Sequence, residues 1–375
     1  MYLAIRELRF AKIRYSLIAC IMLLIAFLVL FVTGLAQGLA FDNAASIQKM
    51  DASHFIMEKD ANHRFTRSLL NKQSLIEAGS IAGHENVQPL SLRMTTVTAE
   101  GTNHKTDVTL LGLRPAGWLM PNVVEGRTIS SQGTGRVLVD RKLKDSGIRL
   151  GSVIVDQASG LKWTVGGFVR HESFSHTPAV ILSEHDYQQF QVKSAPRTGA
   201  EEAASETLYN AIAVKVNKKQ SEQLATLLPD AQIVTKADAV SAIPGYKEEQ
   251  GSLLMMIIFL FIISSFVLAV FFYVITIQKS SQFGILKAIG TRSSYLIRII
   301  AIQILLLSTG SLIVSVLIVR VVEAILPSGM PFQLHSSSVA LTSGAFIAMS
   351  LAGSLLSVWK VTRIDALNAI GRSAA

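Results

Sequence analysis

One cysteine, Cys20, is all the thiol the chain holds. That excludes an intrachain disulfide and leaves nothing for a thiolate metal centre. Charge is scarce too: Asp, Glu, Lys and Arg make up 16% of 375 residues while half are hydrophobic, a balance expected where part of the mass lies in a bilayer. There is no G-x-x-x-x-G-K-[ST] phosphate loop, no G-x-S-x-G nucleophile turn and no Cys–His pairing. The chain is therefore not expected to hydrolyse ATP or to carry catalytic residues. HESFSH, 171–176, is zinc-like only at first sight, because H-E-x-x-H sets its histidines four apart on one helical face, and His171 and His176 stand five apart in strand-and-turn text. They read as surface-loop histidines. Acidic residues fall short of basic ones, leaving a net charge of +9. No basic stripe interleaves with aromatics, so nucleic acid is not an expected partner; the cations gather beside the hydrophobic stretches instead.

Those stretches are what the chain has in abundance. Four, at about 16–38, 253–277, 295–325 and 338–359, are long enough for the roughly 20 helical residues that a bilayer core takes. The first follows Arg6, Arg9, Lys12 and Arg14 as a secretory signal would, but its apolar core exceeds the ~7–15 residues of a signal peptide and it reads as a membrane helix. The basic N-terminus, the loop with Lys279, Lys287 and Arg292, and the tail with Lys360, Arg363 and Arg372 belong in the cytoplasm by the positive-inside bias. Both termini are then cytoplasmic. The Lys- and Arg-free loop 326–338 and the long segment after the first helix lie outside. The expected organisation is a cytoplasmic segment and first helix at 1–40, an extracytoplasmic α+β domain and stalk at 41–250, and helices two to four with a cytoplasmic coupling helix (about 279–292) and tail at 251–375. VTLLGL, RVLVDRKL, GSVIVD, KWTVGGFV and AVILSE have strand character, and SLLNKQSLIEAG and KKQSEQLATLLPD helical spacing. A last helix near 236–250, interrupted at Pro244-Gly245, would lead into the second membrane helix.

Two short patterns invite a partner. QFGILKAIG puts Phe283, Leu286 and Ile289–Gly290 at helical spacing with Gly284 and Lys287 between them, a short amphipathic helix that either docks in a protein groove or lies flat at the lipid interface. Gly34-x-x-x-Gly38, with Gln37 beside it, is either a close-packing face for a second copy or a flexible helix end.

FFYVITIQKSSQFGILKAIGTRSSYL (271–296) and VTRIDALNAIG (361–371) resemble the signature and closing motifs of the FtsX-like, MacB-type permeases of ABC exporters. DVTLLGLRPAGWLMPNVVEGR and VLVDRKLKDSGIRLGSVI are similar to that family's external domain, so the likeness spans the whole chain. It implies four transmembrane helices, a homodimer in the bacterial cell membrane and two copies of a separate ABC ATPase that binds ATP and Mg. Phe283, Gly284, Leu286, Lys287 and Gly290 are its implied contacts with that ATPase, and Gly34, Gln37 and Gly38 lie at the implied dimer interface. RYSLI, TGLAQGL, EQ before LLMMI, and MPF are similar to the haem-exporting permeases within the family. No intrinsic cofactor is implied, and haem is the implied cargo. Export of an antimicrobial peptide or lipid, or control of a cell-wall hydrolase without transport, are the other readings.

For haem, the stretch EEQGSLLMM (248–256) stands out. Glu248 and Glu249 either mark the membrane boundary or offer oxygen to iron, and Met255 and Met256 either fill a core or offer sulfur. On one straight helix Glu249 and Met256 are about 10 Å apart along the axis, so both cannot ligate one iron. The expected iron ligand is Glu249 or Met255, then Met256, with haem between helices. Tyr246, Glu248 and His335 are weaker candidates, and Phe31 a ring contact.

Overall fold

The computed structural model describes residues 12–102, 104–130, 134–194, 207–327 and 329–354. Arg6, Arg9, the end of the fourth expected span (355–359), Lys360, and the closing motif 361–371 and Arg372 beyond it lie outside the described residues. Two compact units emerge, one of Met1–Gly38, Gly251–Pro327 and Phe332–Ala375, the other of Leu39–Gln250 with Ser328–Pro331. In chain order the elements are α1 (Lys12–Lys49), β1 (His54–Glu58), α2 (Lys72–Ala82), β2 (Val87–Ala99), β3 (Lys105–Leu113), β4 (Glu125–Gly126), β5 (Arg136–Asp140), β6 (Val153–Asp156), β7 (Lys162–Val169), β8 (Ser173–Phe174) and β9 (Thr177–Ser183). There follow α3 (Glu184–Ser194), β10 (Ala211–Val214), α4 (Lys218–Leu227), β11 (Ala231–Thr235), α5 (Lys236–Ser241), α6 (Tyr246–Gln278), α7 (Ser280–Ala288), α8 (Ser293–Ile325) and α9 (Ser336–Gly353).

Four described helices, α1, α6, α8 and α9, are long and apolar enough to cross a membrane. An α+β domain is inserted between the first and second of them. At 1.5 Å per residue the 33 residues of α6 reach about 50 Å, well beyond a hydrocarbon core of about 30 Å. The interruption expected at Pro244-Gly245 is a full break: α5 stops at Ser241, Gly245 takes φ 80, and α6 starts at Tyr246. In the helical unit Tyr15, Ile18, Met22, Ala26 and Leu30 recur every three or four residues of α1, the spacing of one helical face, and pack with Leu268, Phe272, Ile300, Ile304 and Phe346. Two serines tie α8 to α1 by donating across the seam, Ser311 Oγ to Ala19 O at 3.1 Å and Ser315 Oγ to Leu23 O at 2.9 Å. Small side chains there let the two backbones approach.

In the α+β domain the strands run in the order β11-β1-β10-β2-β3-β9-β5-β7-β4, with β6 joining β2 to β7. The path β2-β3-β9-β5-β7-β6 therefore returns to β2 and closes a small barrel, which removes the exposed edges an open sheet would leave. Alternation along each strand fills it. Val108 and Leu110, Val137 and Val139, and Val180 and Leu182 form one core with Trp163, Tyr187 and Phe190, while Leu111, Leu113, Leu138 and Ile181 point the other way into a second core with Phe55, Leu90 and Ile47. Helices α2 and α4 cover the β1-β10 side through Leu75, Ala78 and Leu224 packed on Ile56, Ile212 and Val214. α4 opens with a capping box between Asn217 and Gln220.

Buried Asn210 holds distant segments together. Its Oδ1 accepts from Leu92 N–H at 2.7 Å, and its Nδ2 donates to the carbonyls of Phe65 and Ser68 at 2.9 and 3.2 Å. Asn210→Ala would remove its bonds to Leu92 N–H and to the Phe65 and Ser68 carbonyls, of which Phe65 O keeps Ser68 N–H at 3.4 Å, at about 1–3 kcal/mol for a buried group left unsatisfied. A lowered melting temperature of the α+β domain in the purified chain is expected; an unchanged one would show that the freed groups find other partners.

Candidate functional site

The start of α6 is a polar cluster of the α+β domain. Glu249 Oε2 accepts from Asn43 Nδ2 at 2.7 Å and contacts His176 Nε2 at 3.1 Å. The other ring nitrogen of His176 lies 3.8 Å from Asp42 Oδ2, and Asp42 Oδ1 is paired with the Lys142 ammonium and accepts from Ser173 Oγ at 2.9 Å. A hairpin turn places the imidazole. β8 pairs with β9 through Ser173 with Pro178 and Phe174 with Thr177, and the two residues between, Ser175 and His176, take φ 50 and φ 63. Two left-handed residues are the pattern of a type I′ turn, in which Asn-Gly is the usual pair. Ser175 N–H is secured by Asn43 O at 2.7 Å.

The candidate haem residues thus have quite different surroundings. Glu249 keeps Oε1 free of hydrogen bonds among the described residues. Tyr246 accepts from Gln48 Nε2 at 3.3 Å and packs on the domain core, and Glu248 is exposed. In the helical unit, Met255 and Met256 are 59% and 44% exposed, so they do not fill that unit's core. His335 stands exposed at the N-cap of α9 without capping it. Phe31 stacks on Phe27 and Phe332, with centroids at 5.7 and 5.5 Å. His171 and His176 do not converge: His171 meets the Phe41 ring instead, and no cluster of three or more His, Cys, Asp or Glu side chains placed to hold a metal ion exists among the described residues.

Two of the expected contact faces have partners within the chain itself. Gly34, read as facing a second copy, is buried against its own chain: a Cβ there would stand 2.6 Å from Cε2 of Phe332. Its close approach is to that ring. Gly38 is also buried, and Gln37 has a buried Oε1 with no hydrogen-bond partner among the described residues. The coupling helix α7 turns inward the face expected to dock. Phe283 and Gly284 are buried and partly buried Leu286 packs on the helical core, so this face is covered by the chain itself. Lys287 is half-buried. The helix ends at Ala288, with Gly290 at φ 91 and Thr291 N–H closing on Leu286 O at 3.0 Å. That end swings Ile289 outward, 74% exposed, next to exposed Gly290 and one turn after Ile285, 46% exposed.

Just before α7, Lys279, one of the loop cations expected on the cytoplasmic side, is buried at 6% exposure. Its ammonium donates to the Tyr15 hydroxyl and lies 5.0 Å from that ring's centroid, and the hydroxyl donates to Gln303 Oε1 at 3.4 Å. The group links α1, the start of α7 and α8. Sequence reasoning missed it, although Gln303 inside a long apolar run is a polar residue of the kind that marks function in membrane helices.

A family model described as FtsX-like permease C-terminal matches residues 254–366. Over 371 residues, 99% of both chains, the protein is 31% identical to the one named for a hemin transport system, permease protein HrtB of Staphylococcus haemolyticus. This chain belongs to the FtsX-like permeases of ABC transporters. It is 22% identical over 381 residues, again 99% of both chains, to an uncharacterised ABC transporter permease of Mycobacterium tuberculosis. Among solved structures, the periplasmic region of MacB from Actinobacillus actinomycetemcomitans is similar at TM-score 0.36 and 14% identity, over 54% of this chain and 97% of that one. As an ABC permease the chain is a membrane component that works with an ATPase.

The face of α7 left open makes a sharp test. Ile289→Asp is expected to abolish co-purification of the ATPase while leaving the yield of folded permease unchanged, because the side chain is already exposed and packs on none of the helical core. Phe283→Asp, a charge forced into the helical core, is expected to lower the yield itself. Retention of the ATPase by Ile289→Asp together with Ile285→Asp would place the contact elsewhere.

Proposed function

We propose that the chain is the permease subunit of an ATP-driven exporter that takes haem from the membrane and releases it outside, relieving haem toxicity. The observation that carries this reading is the 31% identity that runs through the full length to a permease named for hemin transport. Two exposed thioethers on α6 support it. Met255 and Met256 present soft sulfur donors from an apolar helix, an environment suited to a flat apolar macrocycle whose iron accepts methionine. Glu249, with one carboxylate oxygen uncommitted, is the other candidate for the iron; it stands six residues from Met255, about 9 Å along the helix. One copy supplies one or the other to a given iron. Tyr246, Glu248, His335 and Phe31 are left as contacts to the ring or its propionates.

In this reading the permease is a homodimer, with Gln37 and Gly38 near the seam, and two copies of an HrtA-type ATPase bind ATP and Mg and engage Ile285, Ile289 and Gly290. The permease itself does no catalysis. Both termini lie in the cytoplasm and the α+β domain outside, as the Lys and Arg of 279–292 favour. Buried Lys279, bonded to Tyr15, would carry motion of the coupling helix to α1.

Titrating the purified permease with ferric haem tests the cargo. A Soret band is expected, altered by Met255→Ala or Glu249→Ala, and those variants are expected to lose protection of haem-exposed cells while keeping the ATPase. A protein that acquires no band and gives no protection would overturn the cargo and leave a peptide or lipid in its place.

A further inference from the structure

Where α5 gives way to α6, the α+β domain has a cleft of about 490 Å³, within the ~300–1,000 Å³ typical of small-molecule sites. Its lining is mostly polar. Arg64 and Arg67 reach it from the turn after β1, and Lys247 from the first turn of α6; all three are exposed. None of these cations has an ion pair or a side-chain hydrogen bond among the described residues.

The arginines stand on a fixed base. Asn62 and His63 take φ 51 and φ 61, left-handed conformations uncommon outside glycine, and Arg64 N–H closes the turn on Ala61 O at 3.0 Å. Phe65, between the two arginines in sequence, is buried, its ring edge-on to those of Phe55 and Phe174 at 5.2 and 6.1 Å. Lys247 is set against the grain of its helix, because the dipole makes the first turn of α6 unfavourable for a cation. Asp238 and Glu248 also line the cleft. Asp238 Oδ2 is taken by the Thr235 hydroxyl, which donates to it at 2.7 Å. Three cations against two carboxylates leave the lining with one positive charge.

We infer that this cleft binds the phosphodiester of an anionic phospholipid, with Arg64 and Arg67 on its oxygens and Lys247 meeting it from α6. Charge and chemistry agree: one net positive charge complements the single negative charge of a phosphodiester, and arginine forks and lysine ammoniums are the side chains suited to phosphate. Position selects a lipid over a free anion. Leu253, where the apolar run of α6 begins, is six residues past Lys247, about 9 Å along the axis. The polar layer of a bilayer is roughly 5–8 Å deep on each side, within reach of a lysine side chain at that distance. A headgroup held in this way would tie the turn after β1 to the first turn of α6 across the break at Pro244-Gly245. The inference is independent of the cargo, since none of the three cations is a candidate for haem.

The test titrates the full-length permease in detergent with dihexanoyl phosphatidylglycerol and counts the lipid retained per chain by native mass spectrometry. One firmly held lipid per chain is expected. Arg64→Gln, Arg67→Gln and Lys247→Gln should each weaken it about fivefold, the worth of one cation at a lipid surface. Lys218→Gln, which removes an exposed cation of α4 outside the cleft, should leave it unchanged. Dihexanoyl phosphatidylcholine, with the same chains and phosphodiester but a cation of its own, should bind more weakly, and inorganic phosphate should not displace the lipid. A wild type that retains no phosphatidylglycerol overturns the inference, as do cleft variants that match the wild type. A loss as large in Lys218→Gln would mean that the charge of the whole domain is at work, and equal retention of the two lipids that the acyl chains alone are held; either result overturns the site. Displacement by inorganic phosphate at the same concentration would give the cleft to a soluble anion and overturn the lipid.

Discussion

Inside hydrocarbon, a backbone N–H or C=O has no water to turn to, and leaving one unpaired costs several kcal/mol. That demand sets the form of the helical unit. Its apolar helices run unbroken, 38 residues in α1 and 33 in α6 and in α8. The hydroxyls they carry close onto carbonyls: Thr33 onto Val29, Thr276 onto Phe272 and Ser350 onto Phe346 within their own helices, Ser311 and Ser315 onto α1. Lys279 is the telling exception. A buried ammonium is tolerated only when something takes its charge, and the Tyr15 hydroxyl and ring do so.

The same demand explains how much could be read from the sequence. Four helices and an inserted α+β domain follow from composition and from the length a bilayer requires, and strand character in RVLVD, KWTVGGFV and AVILS corresponds to β5, β7 and β9. Facing is harder. Periodicity shows that QFGILKAIG has an apolar side, but in a chain rich in apolar surface it cannot say whether that side meets a partner or its own core. Phe283 and Gly284 turned out to meet the core, and the end of the helix at Ala288 moved Ile289 off the shared face. Gly34 shows the same limit, since the spacing that suits a second copy equally suits the Phe332 ring nearly three hundred residues later. The bond from His176 to Glu249 spans 73 residues and leaves no local mark, because it depends on where a barrel strand and the break before α6 bring the chain.

In the α+β domain, polar side chains act mainly on the backbone. Asn210, Asp140 and Lys49 each bind main-chain groups from remote segments, and in doing so hold loops in conformations they would not choose alone. Lys49 is also the last residue of α1, where a cation complements the negative end of the helix dipole. A single ammonium thereby ends a helix, neutralises buried Glu172 and steadies the Arg170–His171 backbone.

The two-residue turn at Ser175 and His176 places thermodynamic and chemical selection in opposition. A left-handed conformation costs an ordinary L-residue about 1–2 kcal/mol, so replacing the pair by Asn-Gly would relax the hairpin and make the fold sturdier. It would also strip the imidazole from Glu249 and Asp42. Variants chosen for heat resistance alone would therefore tend to drift toward a smoother turn and a bare carboxylate, whereas the strained pair persists only if the imidazole is useful to the working protein.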